Sequence, residues 1–464
     1  MRPRKRGTRG PAATLWNSAT SLDRQMLEYT VADDREWDAR LLRWDILGTI
    51  GHAEGLRRSR LLSMNEHRRL VAALRGALKA VERGELVIGQ EHEDVHSAVE
   101  LWLTERLGAL GERVHTGRSR NDQVTVDLRL YLKHRVLDLH ALATALVGEL
   151  LAFARMHQRV LWPGYTHQRR AMPSSAGLWA AGYANGLIDT IESLAGLWPR
   201  LDRSPLGSAA GYGVPLPLSR EAVAKVLGFS GVDHIVSGVQ NGRGKLEAAV
   251  LFWCAELGHE LAKLSTDVIL FSAEEFGWLV LPTELSTGSS IMPQKRNPDL
   301  FELTRARTAL VEGDLAQVMA LKGKLAGGYH RDFQFLKAPL VRGLDTTGEM
   351  LAMVAGAVPR LGVDRTRARA SLTGDILATD EVLRRVRGGE PFRRAYRDVA
   401  DAVKRGEPTP APSDAALLDA RRASGNVGNL GVAALAARLR AADRWRRTER
   451  ARFDRAMRRL ATGR

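Results

Sequence analysis

Cysteine is almost missing from this chain: its 464 residues include one, Cys254. A disulfide framework is therefore excluded, and a reducing compartment, the cytoplasm, is the expected location. Cys254 lies in the apolar stretch LFWCAELG, which predicts a buried structural thiol. Long apolar runs are missing too. None approaches the ~18 residues of a membrane helix. No apolar stretch follows the basic N-terminal MRPRKRGTRG, so neither a membrane span nor a signal peptide is expected. No cysteine–histidine cluster has the spacing of a metal site, and no metal or organic cofactor is expected. Strand-like alternation is scarce, and no repeat of ~20–50 residues is evident.

Acidic residues are in deficit, giving a formal charge of +16. The excess sits at the ends. The first ten residues hold five basic groups and no acid, and residues 438–464 hold eleven arginines against Asp443, Glu449 and Asp454. The body between is close to neutral. With none of the common nucleic-acid modules in sight, both ends read as solvated basic tails, and no nucleic-acid partner is expected. Local positive clefts in the body still suit an anionic small molecule.

What is present is helix pattern. Hydrophobic residues make up 44% of the chain, which is ordinary for a globular protein with a large core. Three long segments free of proline stand out, at about 118–162, 244–276 and 299–325. In the first, Leu139, Leu142, Leu146 and Leu150 keep helical spacing, with Asn121 and Asp122 as capping candidates near its start. A helix of ~40 residues reaches ~60 Å and needs partners to bury its stripe. The expected fold is all-α, with a central long-helix bundle at residues 116–363. A helical N-terminal domain at 1–115 and a helical C-terminal domain with a basic tail at 364–464 flank it. An oligomer is expected.

Four polar islands interrupt these patterns. HTGRSRNDQ (115–123) precedes a long helix, whose N-terminus favours an anion, with Arg118 and Arg120 adding charge. PGYTHQRRAMP (163–173) places Thr166 and His167 between a turn and a new helix; histidine moves its proton near neutral pH. TGSSIMPQKRNPDLFE (287–302) sets Ser289 and Ser290 behind Gly288, beside Lys295, Asn297 and Glu302. Small polar residues before a proline also make plain surface turns. Fixed cationic and amide donors around a flexible hydroxyl loop, however, suit removal of a proton from carbon. GGYHRDFQFLK (327–337) offers Tyr329, Arg331, Gln334 and Lys337 as donors, or is simply an exposed helix start.

The islands, with EDVHSAVELWLTERLG and SPLGSAAGYG in order between them, resemble the argininosuccinate lyase family of the fumarase/aspartase superfamily. The resemblance covers about residues 36–435. It implies a three-domain homotetramer with active sites shared between subunits. It also implies reversible β-elimination of fumarate from argininosuccinate to give arginine, without metal or cofactor. On this resemblance Ser289 is the base at Cβ, His167 serves the acid side, and Glu302 orients that histidine. Lys295 and Asn297 hold the carboxylate beside the carbanion. Ser119, Arg120, Asn121 and Thr166 bind substrate, and Tyr329, Gln334 and Lys337 contact its remaining carboxylate and guanidinium-bearing part. The family pattern LWGGRF is here Leu15-Trp16-Asn17-Ser18-Ala19, Thr30 stands where a substrate-touching serine is common, and QRRAMP replaces LQRAQP. These departures touch the amine-recognising end, so another N-substituted aspartate is the alternative substrate.

Overall fold

The computed structural model describes residues 24–89, 92–409 and 411–463. The basic segment 1–10 and the stretch Leu15-Trp16-Asn17-Ser18-Ala19 lie outside them. The all-α expectation holds: helices account for the architecture, and the strands pair only into two-stranded sheets. The helices used below are α1 (Leu42–Arg58), α2 (Met64–Glu82), α3 (Val95–Leu107), α4 (Arg120–Met156), α5 (Ala176–Leu201), α6 (Arg220–Val226), α7 (Lys245–Ser272), α8 (Asp299–Lys322), α9 (Lys337–Ala357) and α10 (Val432–Thr462).

Local chemistry starts these helices. Ser63 with Glu66, Asp94 with Ser97, and Ser119 with Asp122 form reciprocal capping boxes at α2, α3 and α4. Of the leucine row in α4, Leu139, Leu146 and Leu150 are fully buried. Helices α4, α5, α7, α8 and α9 pack side by side as the central bundle, with α1 against α4. One apolar core runs through all of them; residues 372–427 carry two smaller cores of their own. By length and composition α4 passes for a membrane helix, but its apolar side chains are packed inside this bundle. Cys254 is buried as expected, and burial pushes its thiol up to about 12.

Three further long helices were not foreseen. Pro199 lies in the last turn of α5, and Pro339 in the first turn of α9. Proline is tolerated at a helix start, so a proline-free rule misses such segments. The third, α10, corrects the reading of residues 438–464 as a solvated tail. Phe453, Met457 and Leu460 turn one face of it into the core, where it packs on α4, α5, α1 and α2. Its arginines are largely spent on the bundle. Arg438 reaches Asp189 and Glu192, Arg450 reaches His134 and Asp138, and Arg452 reaches Asp202. Beneath it, fully buried Lys133 donates to Asp202 Oδ1 at 2.6 Å and to the Gly228 carbonyl at 2.8 Å. Burial lowers the Lys133 pKa to about 8.

Candidate active site

The first half of the site is built at the N-terminus of α4. Ser119 caps the helix, accepting from the Asn121 amide at 3.3 Å. Asp122 accepts from the Ser119 amide at 3.0 Å and, on its other oxygen, from the amides of Gly207 and Ala209 at 3.0 and 2.8 Å. The SPLGSAAGYG segment is thereby tied to the start of α4. Arg120 and Asn121 then face a pocket of about 190 Å³, which Tyr329, Gln334 and Lys337 also line. Five of the expected binding residues thus meet in one cavity, with Ser119 at its edge.

The pocket is not the simple anion site expected from Arg118 and Arg120. Arg118 is buried behind it, donating to Thr49 Oγ1 at 2.8 Å and the Val114 carbonyl at 3.1 Å. Arg120 pairs with Glu93 at 3.0 Å and Asp94 at 3.1 Å. Lys337 is held by both Asp34 and Asp38. Burial alone would depress the lysine, but these two carboxylates keep it above its ordinary value. Burial pushes Asp34 up to about 6, against the pull of Lys337 and with the push of Asp38. Four carboxylates (Asp34, Asp38, Glu93 and Asp94) therefore face four cations (Arg120, Arg243, Arg331 and Lys337). Such a wall matches a zwitterion carrying both a cationic and an anionic end. Gln334 Nε2 donates to the carbonyls of Thr30 and Val31, both at 3.1 Å, which puts Thr30 beside the pocket.

Behind the wall lies a buried trio, Asp45, His96 and Asp127, whose ligand atoms lie within 4.8 Å of one another. It has the donor types for a cation. Its charge is already met, however. His96 Nδ1 contacts Asp45 Oδ1 at 2.8 Å, and Gln123 Nε2 donates to the same oxygen at 2.6 Å. Burial and the Asp45 charge hold Asp127 well above the carboxylate range, against nearby Arg118. A protonated Asp127 beside ionised Asp45 makes this a brace joining α1, α3 and α4.

The second half of the site is at the other end of the bundle. The PGYTH island was expected between a turn and a helix. It is instead a β-hairpin, β1 (Leu161–Thr166) and β2 (Arg169–Ser175), with Thr166 and His167 exposed at its tip. The two turn residues, His167 and Gln168, have φ of +52° and +59°. That mirror-image turn suits strand twist but strains side chains other than glycine, at a cost of about 1–3 kcal/mol each. Trp162 and Tyr165 anchor the hairpin on Phe271, Phe276 and Trp278 beyond the end of α7. The Ser289 loop springs from a small ladder, β3 (Thr287–Gly288) with β4 (Arg296–Asn297), just ahead of α8. Ser289 Oγ accepts from the amides of Met292 at 3.1 Å and Ile291 at 3.4 Å. Asn297 Nδ2 reaches the Gly288 carbonyl at 3.4 Å. Lys295 and Glu302 are exposed, the latter in the first turn of α8.

The bundle separates the two halves. Helix α4, with 37 residues, spans about 55 Å from the Asn121 end to the hairpin end. Helix α8, with 24 residues, spans about 36 Å from the Ser289 loop to the turn leading into Tyr329. One chain thus gathers Ser119, Arg120, Asn121, Tyr329, Gln334 and Lys337 at one end. It leaves Thr166, His167, Ser289, Lys295, Asn297 and Glu302 at the other. The acidic lining was missed from sequence, because Asp34 and Asp38 sit among charges that read as a solvated face. His96, by contrast, stood in plain view within EDVHSAVE.

Comparison with known proteins agrees with this layout. A lyase family model matches residues 13–313. The argininosuccinate lyase of Sorangium cellulosum is 43% identical over 92% of this chain and 98% of its own length. That of Thermotoga neapolitana is 39% identical over 84% and 98%. Among solved structures, EDDS lyase in complex with formate superposes with a TM-score of 0.80 at 21% identity, covering 95% of both chains. The class II fumarase of Schistosoma mansoni gives 0.69 at 17% identity, covering 80% of this chain and 85% of its own. These two likenesses concern the fold alone. From the sequence relatives, the chain belongs to the argininosuccinate lyase family.

Proposed function

We propose that this chain is an argininosuccinate lyase, a carbon–nitrogen lyase of the amidine-lyase type. It eliminates fumarate reversibly from argininosuccinate and releases arginine, as a cytoplasmic enzyme of arginine biosynthesis. The observation that carries the chemistry is the pair of backbone amides aimed at Ser289 Oγ. A serine hydroxyl is a poor base at neutral pH. Donors fixed on its oxygen favour the alkoxide, and Lys295 adds positive charge on the same loop. Ser289 then takes the Cβ proton. The resulting charge spreads into the adjacent carboxylate, which Lys295 and Asn297 steady. His167, oriented by Glu302 and assisted by Thr166, serves the proton to the leaving nitrogen. Ser119, Arg120, Asn121, Tyr329, Gln334 and Lys337 hold the far end of the substrate against the acidic wall.

These roles require a second copy, since no small molecule bridges the bundle. We read the enzyme as a homotetramer with shared sites, three domains dividing near residues 115 and 363. The bundle has an unpartnered apolar face that fits this reading: Leu303, Leu310 and Met319 on α8 are 58%, 61% and 50% exposed, and Phe252 on α7 is 57% exposed. Each such side chain buried on assembly contributes about 1.5–3 kcal/mol. Absorbance growth from fumarate on mixing enzyme with argininosuccinate tests the activity. No fumarate from argininosuccinate, but release from another N-substituted aspartate, selects the alternative substrate.

The acidic wall also sets a pH dependence. Asp34 titrates near 6 in the folded protein, above its ordinary 3.8. Its folded pKa is raised, so the free carboxylate is the disfavoured form there; it appears only as pH rises through about 6. A cationic substrate end needs that carboxylate. KM is therefore expected to climb as pH falls below about 6 while kcat changes less. Asp34→Asn should remove the step and leave KM high throughout. An unchanged KM profile in the variant contradicts the assignment.

A further inference from the structure

The largest cleft with a one-sided charge lies away from both halves of the site. It holds about 770 Å³ between α1, α2, α6 and α10 and shares no lining residue with the pocket beside Arg120. Its floor is apolar, with Ile50, Val71, Phe229 and Leu460 all less than 8% exposed. Its walls carry six arginine or lysine side chains against one carboxylate, Glu54. The active-site pocket, by contrast, is balanced. Glu54 is already committed, taking hydrogen bonds from Arg57 at 2.6 Å and Arg58 at 2.8 Å. Two other cations are partly used: Arg452 on Asp202 and Glu449, and Arg75 on the Leu460 carbonyl at 2.9 Å.

Lys225, Arg455 and Arg459 have no ion pair or hydrogen bond among the described residues. Arg455 and Arg459 stand four apart on α10, a like-charge spacing that weakens a helix. Lys225 approaches from the last turn of α6. Three unpaired cations thus converge over an apolar floor, and they come from the arginine-rich C-terminal stretch that the lyase chemistry leaves unexplained. Mutual repulsion opposes that arrangement, and an anion relieves it. A bare anion would leave the floor unused.

We propose that this cleft binds a small molecule in which a flat apolar group carries a chain of phosphates, the chemistry of a nucleoside polyphosphate. The ring lies on Phe229, Val226 and Leu460, and the phosphates meet Lys225, Arg455 and Arg459. Charge-assisted contacts to phosphate are among the stronger hydrogen bonds, so each one lost costs about tenfold in affinity.

Calorimetric titration of the full chain with ATP, inorganic tripolyphosphate and adenosine tests this. ATP should bind once per chain, more tightly than tripolyphosphate, with adenosine weakest. The R455E/R459E variant should weaken ATP by about tenfold or more, while fumarate release is unchanged. Lys225→Glu, on a different helix, should weaken it in the same direction. Both variants should keep the helical circular dichroism of the parent, since the side chains are exposed. Saturating fumarate should not displace ATP. The proposal is overturned if ATP does not bind, if tripolyphosphate binds equally well, if fumarate displaces ATP, or if ATP affinity survives the substitutions.

Discussion

Ser289→Ala should lower kcat for fumarate release by roughly 10²–10⁴-fold, the usual worth of a general base, and leave KM near its starting value. The hydroxyl is the acceptor on which the Met292 and Ile291 amides converge. Removing it takes away both the base and the reason for that amide arrangement. Ser290 provides the control. It is exposed, sits one residue further along, and Ser290→Ala should keep kcat close to the parent. Steady-state rates on both variants, with circular dichroism to verify folding, separate the two serines. A larger loss at Ser290 than at Ser289 would move the base to the neighbouring hydroxyl.

The largest stability effect is expected at Asp202. Its carboxylate is buried and takes Lys133 on one oxygen and Arg452 on the other. Lys133 is fully buried and lies 4.5 Å from the Phe229 ring centre. Asp202→Ala strands that ammonium without its counter-charge. Breaking a buried pair from one side costs about 3–5 kcal/mol. The sign with pH follows from the lysine. Its folded pKa, about 8, lies below its ordinary 10.5, so the unfolded chain holds the extra proton between those values. Lys133 therefore opposes folding most below about pH 8, and that opposition fades as pH rises toward 10.5. The Asp202→Ala deficit should shrink over the same window. Denaturant unfolding at pH 7 and pH 10 measures both effects. The double change Lys133→Met with Asp202→Ala should recover part of the loss at pH 7. A double variant no better than the single one would show that the carboxylate acts through something other than the lysine.

Much of this molecule was readable before its folding was known, and the reasons differ by element. Helices α4, α7 and α8 declared themselves through long, proline-free periodicity, and their bounds came within a few residues of expectation at most ends. Helices α5 and α9 hid behind Pro199 and Pro339, each in a terminal turn where proline does little harm. Helix α10 hid behind its arginines. Its apolar face is narrow, and the carboxylates that pair with it, Asp138, Asp189, Glu192 and Asp202, lie more than 200 positions away in sequence. The β-hairpin was invisible for a related reason. Its turn uses positive φ at His167 and Gln168 with no glycine to announce it. Side chains that speak through motif were found. Those that act through burial, such as Asp34 and Asp38 around Lys337, were not, because burial is a property of the fold.

The central claim is that one working site is assembled from opposite ends of different copies. Ser289→Ala disables one end, and Asn121→Ala disables the other. Unfolding the two inactive variants together and refolding them as a mixture gives oligomers in which some sites draw both intact ends from different chains. Fumarate release from argininosuccinate should then reappear in the mixture, although each variant refolded alone stays inactive. If mass spectrometry shows mixed oligomers and activity still does not return, the two ends do not meet across copies, and the shared site is wrong.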